Sequence, residues 1–331
     1  MPHPSSSRRH LLQAAALTTL APLRTLVCAA DPWPAQPIKL VVPFPAGGNT
    51  DLIARILVKT MADDLGQAIV IDNRSGAGGN IGVESVAKAA PDGYTLAYST
   101  LSTYALNVGL YHKLAYDPVQ DLAPVALTVQ VPLVLVVPAG SGIRTLTELL
   151  KQLKSQPGKF SYGSAGNGTS GHIACHRFVR MADVDVQHVP YKGSAPAMTD
   201  LMAGNVHFSI DAPSVVAPLI RAGRLNAIAV AVSGRIQALP QVPTFDEAGL
   251  PGLRAYTWNA VWAPAGTPQA ILDRLNAAVN KALSTPANTR QIEAAGVVPY
   301  PAMNRSQVQE FMKKEYDAWV PLVRSMRMSL G

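Results

Sequence analysis

The 331-residue sequence predicts an α/β protein of two similar lobes, each a mainly parallel sheet flanked by helices. Three observations point there. Short apolar runs with strand character alternate with amphipathic helical patterns almost throughout, which is the βαβ signature of parallel sheets. Runs such as "IKLVV" and "PLVLVV" are unbroken by polar residues and suit strands buried on both faces. Finally, "KLVVPFPAGGNTDLIARIL" and "VLVVPAGSGIRTLTELL" echo each other as strand, Pro-Ala-Gly turn and helix, and a third Pro-Ala-Gly stands in "WAPAGTPQAILDRL". Length alone argues for about two domains.

Taken in order, strands are expected at residues 38–42, 68–72, 95–98, 133–137, 160–162, 187–189, 206–210 and 227–232. Helical patterns fall between them, as at 51–63 and 195–203. Residues 269–327 are helical by pattern, with a break at Pro299 to Pro301. A tail of that kind packs back on the first lobe. The expected division is therefore 31–131 with 258–331 as lobe 1 and 132–257 as lobe 2. Crossing segments near 130–133 and 258–262 would be the hinges.

The amino end predicts the compartment. Arg8 and Arg9 follow Ser7, an apolar run covers 11–23 with Gln13 and Pro22 as interruptions, and small residues surround Cys28. This is the layout of a twin-arginine-like export signal over residues 1–30, cleaved near Ala29 or Ala30. Cleavage removes Arg8, Arg9 and Arg24 and no acid, so the formal charge of +7 falls to (28 − 3) − 21 = +4. The mature chain is only mildly basic and has no Lys/Arg cluster, which excludes a nucleic-acid partner. Cys175 is left without a second cysteine, so the core alone must hold the fold. No later run is long and apolar enough to span a bilayer. A soluble periplasmic monomer is expected.

The chemistry concentrates in glycine turns. In "YGSAGNGTSGHIACH", Gly166, Gly168 and Gly171 satisfy G-x-G-x-x-G between a strand and a helix. Such a turn offers free N–H groups and the positive end of a helix dipole to an anion. A dinucleotide also needs an acid at the carboxyl end of the next strand. Asp183 and Asp185 instead precede that strand, which ends in His188-Val189-Pro190. A secreted NAD-linked oxidoreductase using the 166–171 turn is thus an alternative, and no cofactor is expected. "PFPAGGNTD" follows the first strand. Its prolines stiffen the exit, Gly47 and Gly48 allow close approach, and Thr50 or Asp51 caps a helix. The same residues would also serve a plain capped turn, but two glycine turns in two lobes facing one cleft favour binding. "NRSGAGGNIG" is a third such turn, half structural in character.

His172 and His176 share a helix face beside Cys175, yet "HIACH" lacks the glutamate of H-E-x-x-H and has no third ligand at helical spacing. A His-based metal-binding protein is the third reading. In the preferred one His172 meets the cleft and His176 is packed or partly exposed. Asp211 ends a strand, where it either caps the helix opening at Pro213 or touches ligand. No G-x-S-x-G elbow and no carboxylate pair point to catalysis, so a non-enzyme is expected.

At these residues the chain resembles the Bug, or TctC-like, family of periplasmic substrate-binding proteins of tripartite tricarboxylate transporters. The resemblance is carried by "PFPAGGNTDLIAR", "NRSGAGGNIGVESVAKAAPDGYTL", "GSAGNGTSGH", "HVPYKGSAPAMTDLMAGNVHFSID", "IRAGRLNAIAV" and "WAPAGTP", in that order. It implies a two-lobed Venus-flytrap fold of type II-like build. It also implies a cleft that holds a small carboxylate through backbone N–H groups and ordered waters. By motif the ligand-binding residues would be Phe44, Ala46, Gly47, Gly48, Asn49 and Asp51 from one lobe, and Ser164, Ala165, Gly166, Thr169, His172 and Asp211 from the other. The implied partners are the carboxylate and the membrane subunits of the transporter, or a sensor protein. Cys175-His176 stands where the family usually has a glycine and an acid.

Overall fold

A computed structural model describes residues 33–328; the expected export signal lies outside the described residues. From the amino end the chain forms β1 (Ile38–Val42), α1 (Asn49–Leu65), β2 (Ile69–Asn73), α2 (Asn80–Ala87), β3 (Thr95–Thr100) and α3 (Asn107–Leu110). There follow β4 (Leu122–Pro132), β5 (Val134–Pro138), α4 (Leu146–Ser155), β6 (Phe160–Ser164), α5 (Ser170–Ala182) and β7 (Val186–Pro190). Next come α6 (Ser194–Ala203), β8 (Phe208–Asp211), α7 (Pro213–Arg221), β9 (Leu225–Val230) and β10 (Tyr256–Pro264). The chain closes with α8 (Gln269–Ser284), α9 (Pro286–Ala294), β11 (Val298–Pro299) and α10 (Arg305–Ser325).

Two sheets result. The first has the order β11-β4-β10-β3-β1-β2 and the second β7-β6-β8-β5-β9. The predicted α/β class holds, but each sheet is mixed. The triplets β2-β1-β3 and β7-β6-β8 are parallel, whereas β10 runs antiparallel to both β3 and β4, and β5 antiparallel to both β8 and β9. Alternation of strand and helix registers only the parallel triplets, because they alone need crossover helices.

Helices cover both faces of each sheet, as the unbroken apolar strands require. On one face of the first sheet Ile53, Leu57 and Met61 of α1 meet Leu275 and Val279 of α8; on the other, Val83 of α2 lies with Val308, Met312 and Val323 of α10. In the second sheet, Leu149 and Phe178 belong to one core, and Met198, Leu201 and Val216 to the opposite one. Each such large apolar side chain contributes about 1.5–3 kcal/mol on burial. The break expected at Pro299 holds the short strand β11, which pairs with β4 at Val298 and Pro299.

The chain leaves the first sheet between Pro132 and Val134 and returns at Ala255, where Ala255 N–H donates to Ala231 O and Ala231 N–H to Leu133 O. Tyr256 and Thr257 already pair with Pro132 and Val131. The segment 258–262, expected as a hinge, instead lies within β10, with Trp258 and Trp262 buried in the first sheet's core.

Candidate functional site

In an open α/β sheet, ligands bind beyond the carboxyl ends of the strands where successive connections diverge. Each sheet has one such point, between β1 and β3 in the first and between β6 and β8 in the second. The two points face each other across a cavity of about 90 Å³. Phe44 to Ala46, Gly48 to Thr50, Thr100 and Ser102 line it from one side; Ala165, Thr169 to Gly171, Gly193 to Ala195 and Asp211 line it from the other, with Leu133 and Thr257 between.

The topology also corrects the sequence echo. Because β5 is antiparallel to β8 and β10 to β3, their carboxyl ends point away from the cavity. The turns at Pro138 and Pro264 therefore take no part in it; the counterpart of "PFPAGGNTD" is the turn after β6.

Four helices, α1, α5, α6 and α7, begin at the cavity wall. The first N–H groups of a helix have no acceptor within it. Gly48 and Gly193, the caps of α1 and α6, supply no side-chain acceptor either. The cap of α1 is thus Gly48, not Thr50 or Asp51 as expected. Asp51 is 2% exposed and turned from the cavity. It accepts from Gly47 N–H at 3.0 Å, Asn73 Nδ2 at 3.0 Å, and Arg55 Nε and Nη2 at 2.9 and 3.0 Å. Burial opposes its ionisation, but these donors outweigh burial and hold the carboxyl below its usual range. Its part is to fix the turn, which Asn73 Nδ2 also ties through Phe44 O at 3.0 Å.

The second turn is fixed by side chains behind it. Thr169 caps α5, accepting from His172 N–H, and its hydroxyl donates to Gly166 O at 2.8 Å. Gly168 N–H donates to His172 Nδ1 at 3.1 Å, and Ser164 Oγ meets His188 Nε2 at 2.7 Å. His172 does not meet the cleft as expected: it is 3% exposed and stacked on His188. Burial, then His188 and His176, drive its pKa down to about 3; burial and then His176 take His188 down to about 4. Both rings are neutral at ordinary pH. His176 is half-buried. Among the described residues no three His, Cys, Asp or Glu side chains are grouped as metal ligands would be.

Asp211 does not cap α7; Ala212 does, and Asp211 Oδ1 accepts from Ala212 N–H at 2.7 Å. Burial raises the Asp211 carboxyl above its usual range, against donation from Ser194 and Ala212. Of the described residues lining the cavity it alone has a charged side chain; no Lys, Arg or His is among them.

The sheets also touch across the cavity. Ser170 N–H donates to Ser102 Oγ at 3.0 Å, the two hydroxyls are 3.1 Å apart, and Ser214 Oγ donates to Asn49 Oδ1 at 2.8 Å. A Cβ on Gly78 would stand 2.3 Å from Asn167 O, so the third glycine turn serves close approach to the second.

Of the motif-based residues, Phe44, Ala46, Gly48, Asn49, Ala165, Thr169 and Asp211 line the cavity, while Gly47, Asp51, Ser164, Gly166 and His172 do not. Sequence reasoning missed Thr100, Ser102, Ser194 and Thr257. "GSAP" after β7 repeats the pattern of a glycine before a helix and gave a local signal for Ser194. The other three depend on strand order.

Two α/β sheets with helices on both faces, joined by adjacent crossings and meeting at a cavity, define the fold of the periplasmic binding proteins. Residues 53–328 match the family model described as the tripartite tricarboxylate transporter family receptor, TctC, and the chain belongs to that family. It is 39% identical over 297 residues to BugT of Bordetella pertussis, covering 89% of this chain and 91% of that one. A Rhodopseudomonas palustris protein solved with adipate superposes with a TM-score of 0.86 at 35% identity, over 90% of this chain and 100% of that one. MatC from Rhodopseudomonas palustris with bound malate gives 0.83 at 36% identity, over 88% and 99%.

Proposed function

We propose that this protein is a periplasmic solute-binding protein that captures one small organic carboxylate and delivers it to the membrane subunits of a tripartite tricarboxylate-type transporter. The lobes would be residues 31–131 with 258–331, and 132–257, closing on the ligand as a monomer. One observation carries the reading: four helices open onto the cavity, and no cationic side chain among the described residues lines it. The N–H groups at the starts of α1 and α6, whose glycine caps supply no side-chain acceptor, together with the helix dipoles favour an anion without a formal counter-charge. Phe44, Ala46, Gly48, Asn49, Ala165, Thr169 and Asp211 would touch the ligand. Gly47, Asp51, Ser164, Gly166 and His172 would hold the turns in shape. The carboxylates bound by the two Rhodopseudomonas proteins support the ligand class, and the family's receptor description supports binding without turnover.

A thermal-shift screen of the mature chain against mono-, di- and tricarboxylates and amino acids, followed by calorimetry, tests this. One-to-one binding near micromolar is expected, or about 8 kcal/mol. Silence across the whole panel would end the reading.

A further inference from the structure

Strand β10 carries a feature that helix-end recognition of an anion does not use. Thr257, Asn259, Val261 and Ala263 occupy alternate positions, so they share one face of the sheet. Val261 and Ala263 enter the apolar core under α1, but the two positions nearer the cavity are polar. Thr257 is 9% exposed and lines the cavity, and Asn259 is 0% exposed. Thr257 Oγ1, Asn259 Oδ1 and Asn259 Nδ2 have no hydrogen-bond partner among the described residues. Asn259 lies across the ladder from Thr100, which also lines the cavity. Two positions along a strand span only about 6.6 Å, so Asn259 stands one step behind the cavity wall.

Buried polar groups in native proteins are almost always partnered, and leaving both ends of an amide bare is costly. Two neighbouring orphaned side chains on the cavity side of an otherwise apolar face call for a partner that arrives from the cavity. Both are neutral, and each offers a donor and an acceptor. We propose that Thr257 and Asn259 form an inner polar floor that receives a second oxygen-bearing group of the ligand, a hydroxyl or a second carboxyl, and so select such acids over plain alkanoates. This rests on the carboxylate reading of the same cavity and adds the specificity-determining residues.

The test uses the mature chain and chain-matched probes, malate against butyrate and adipate against hexanoate. Calorimetry should show at least one polar member binding ten-fold or more tightly than its match. Asn259→Leu should abolish that preference by weakening the polar member alone. Because Leu replaces an orphaned amide with an apolar group of similar size, its melting temperature should stay level or rise. A purely structural Asn259 would give the opposite pair of results, lower stability with affinity unchanged. Thr257→Val, with the hydroxyl replaced at constant shape, should give the same loss of preference and covers the case in which Asn259→Leu does not fold. A wild-type protein that binds both members of each pair equally, or variants that keep the preference, would overturn the floor while the carboxylate reading stands. If none of the four probes nor any acid in the wider screen binds, both fall together.

Discussion

His172 and His188 stack with ring centroids 4.0 Å apart and planes 11° from parallel. They stand directly behind the turn from Ser164 to Thr169. Each ring accepts or shares a hydrogen bond with that turn, His172 from Gly168 N–H and His188 with Ser164 Oγ. Both are neutral because burial penalises the charged form, reinforced at His172 by His188 and His176 and at His188 by His176. The turn that lines the cavity thus leans on a pair of rings that must stay uncharged.

Acid should therefore weaken the fold well above the carboxylate range. In the unfolded chain both rings take up protons below about pH 6.5, whereas the folded rings do so only near 4 and 3. Their contribution is complete above pH 6.5 and declines as pH falls, because the unfolded state then binds more protons. The slope approaches about 1.4 kcal/mol per pH unit for each ring. Urea titrations between pH 7 and 4.5 should show it, and His188→Phe, which keeps a stacked ring, should about halve it. An unaltered slope in that variant would remove the pair from the account.

Gly47 has φ of +83°, and a Cβ there would meet nothing within 4 Å. Gly47→Val therefore introduces backbone strain of about 1–3 kcal/mol without a clash. The strain falls on the turn before α1, so binding should nearly vanish in a protein that still folds. Melting temperature and affinity measured on one preparation separate the two effects. A folded variant with wild-type affinity would exclude this loop from the site.

Thr169 has two tasks, since the hydroxyl that caps α5 also donates to Gly166 O in the turn beside the cavity. Thr169→Ala should lower stability by about 0.5–2 kcal/mol through the lost cap. It should also lower affinity by about 0.5–1.5 kcal/mol, the worth of the lost hydrogen bond to Gly166 O that holds the turn in shape. Thr169→Ser should restore both. Stability recovered without affinity would place the methyl group, not the hydroxyl, against the ligand.

The hydroxyls of Ser102 and Ser170, 3.1 Å apart, bridge the two sheets across the cavity. Ligand should favour this closed arrangement, and small-angle scattering should show a smaller radius at saturation. Ser102→Cys combined with Ser170→Cys should oxidise to a cross-link that holds the small radius with or without ligand and blocks uptake. Unhindered binding to the oxidised protein would show that ligand does not enter through this opening.

What was legible in the sequence was whatever is encoded within one turn of chain. "PFPAGGNTD" could be read because Gly47 needs a positive φ and because a turn between strand and helix must lie at a strand's carboxyl end. The duty of Asp51 was misread because a carboxylate in a first helical turn looks like a cap, and Asn73, which fixes it in place, lies on another strand. Ser102 and Thr100 give no local signal. They reach the cavity only because β3 lies beside β1. The echo at Pro138 misled for the converse reason, since identical local chemistry sits at the wrong end of a strand whose direction no local pattern reveals. The helix that carries His172 is legible, but the rings stacked on it, Tyr162 and His188, belong to the neighbouring strands β6 and β7.

The place of β10 between β3 and β4 has a consequence for the order of assembly. The strands of the second sheet, β5 to β9, are contiguous in the chain, so that sheet can close from what has already emerged. The first sheet cannot. Until β10 arrives, β3 and β4 present facing edges with unpaired backbone groups, the feature that makes nascent chains stick to one another. Its central ladder is a long-range contact and must form late. A chain emerging amino end first will therefore carry a finished second half and an open first half, and will need a holdase or rapid completion to stay soluble.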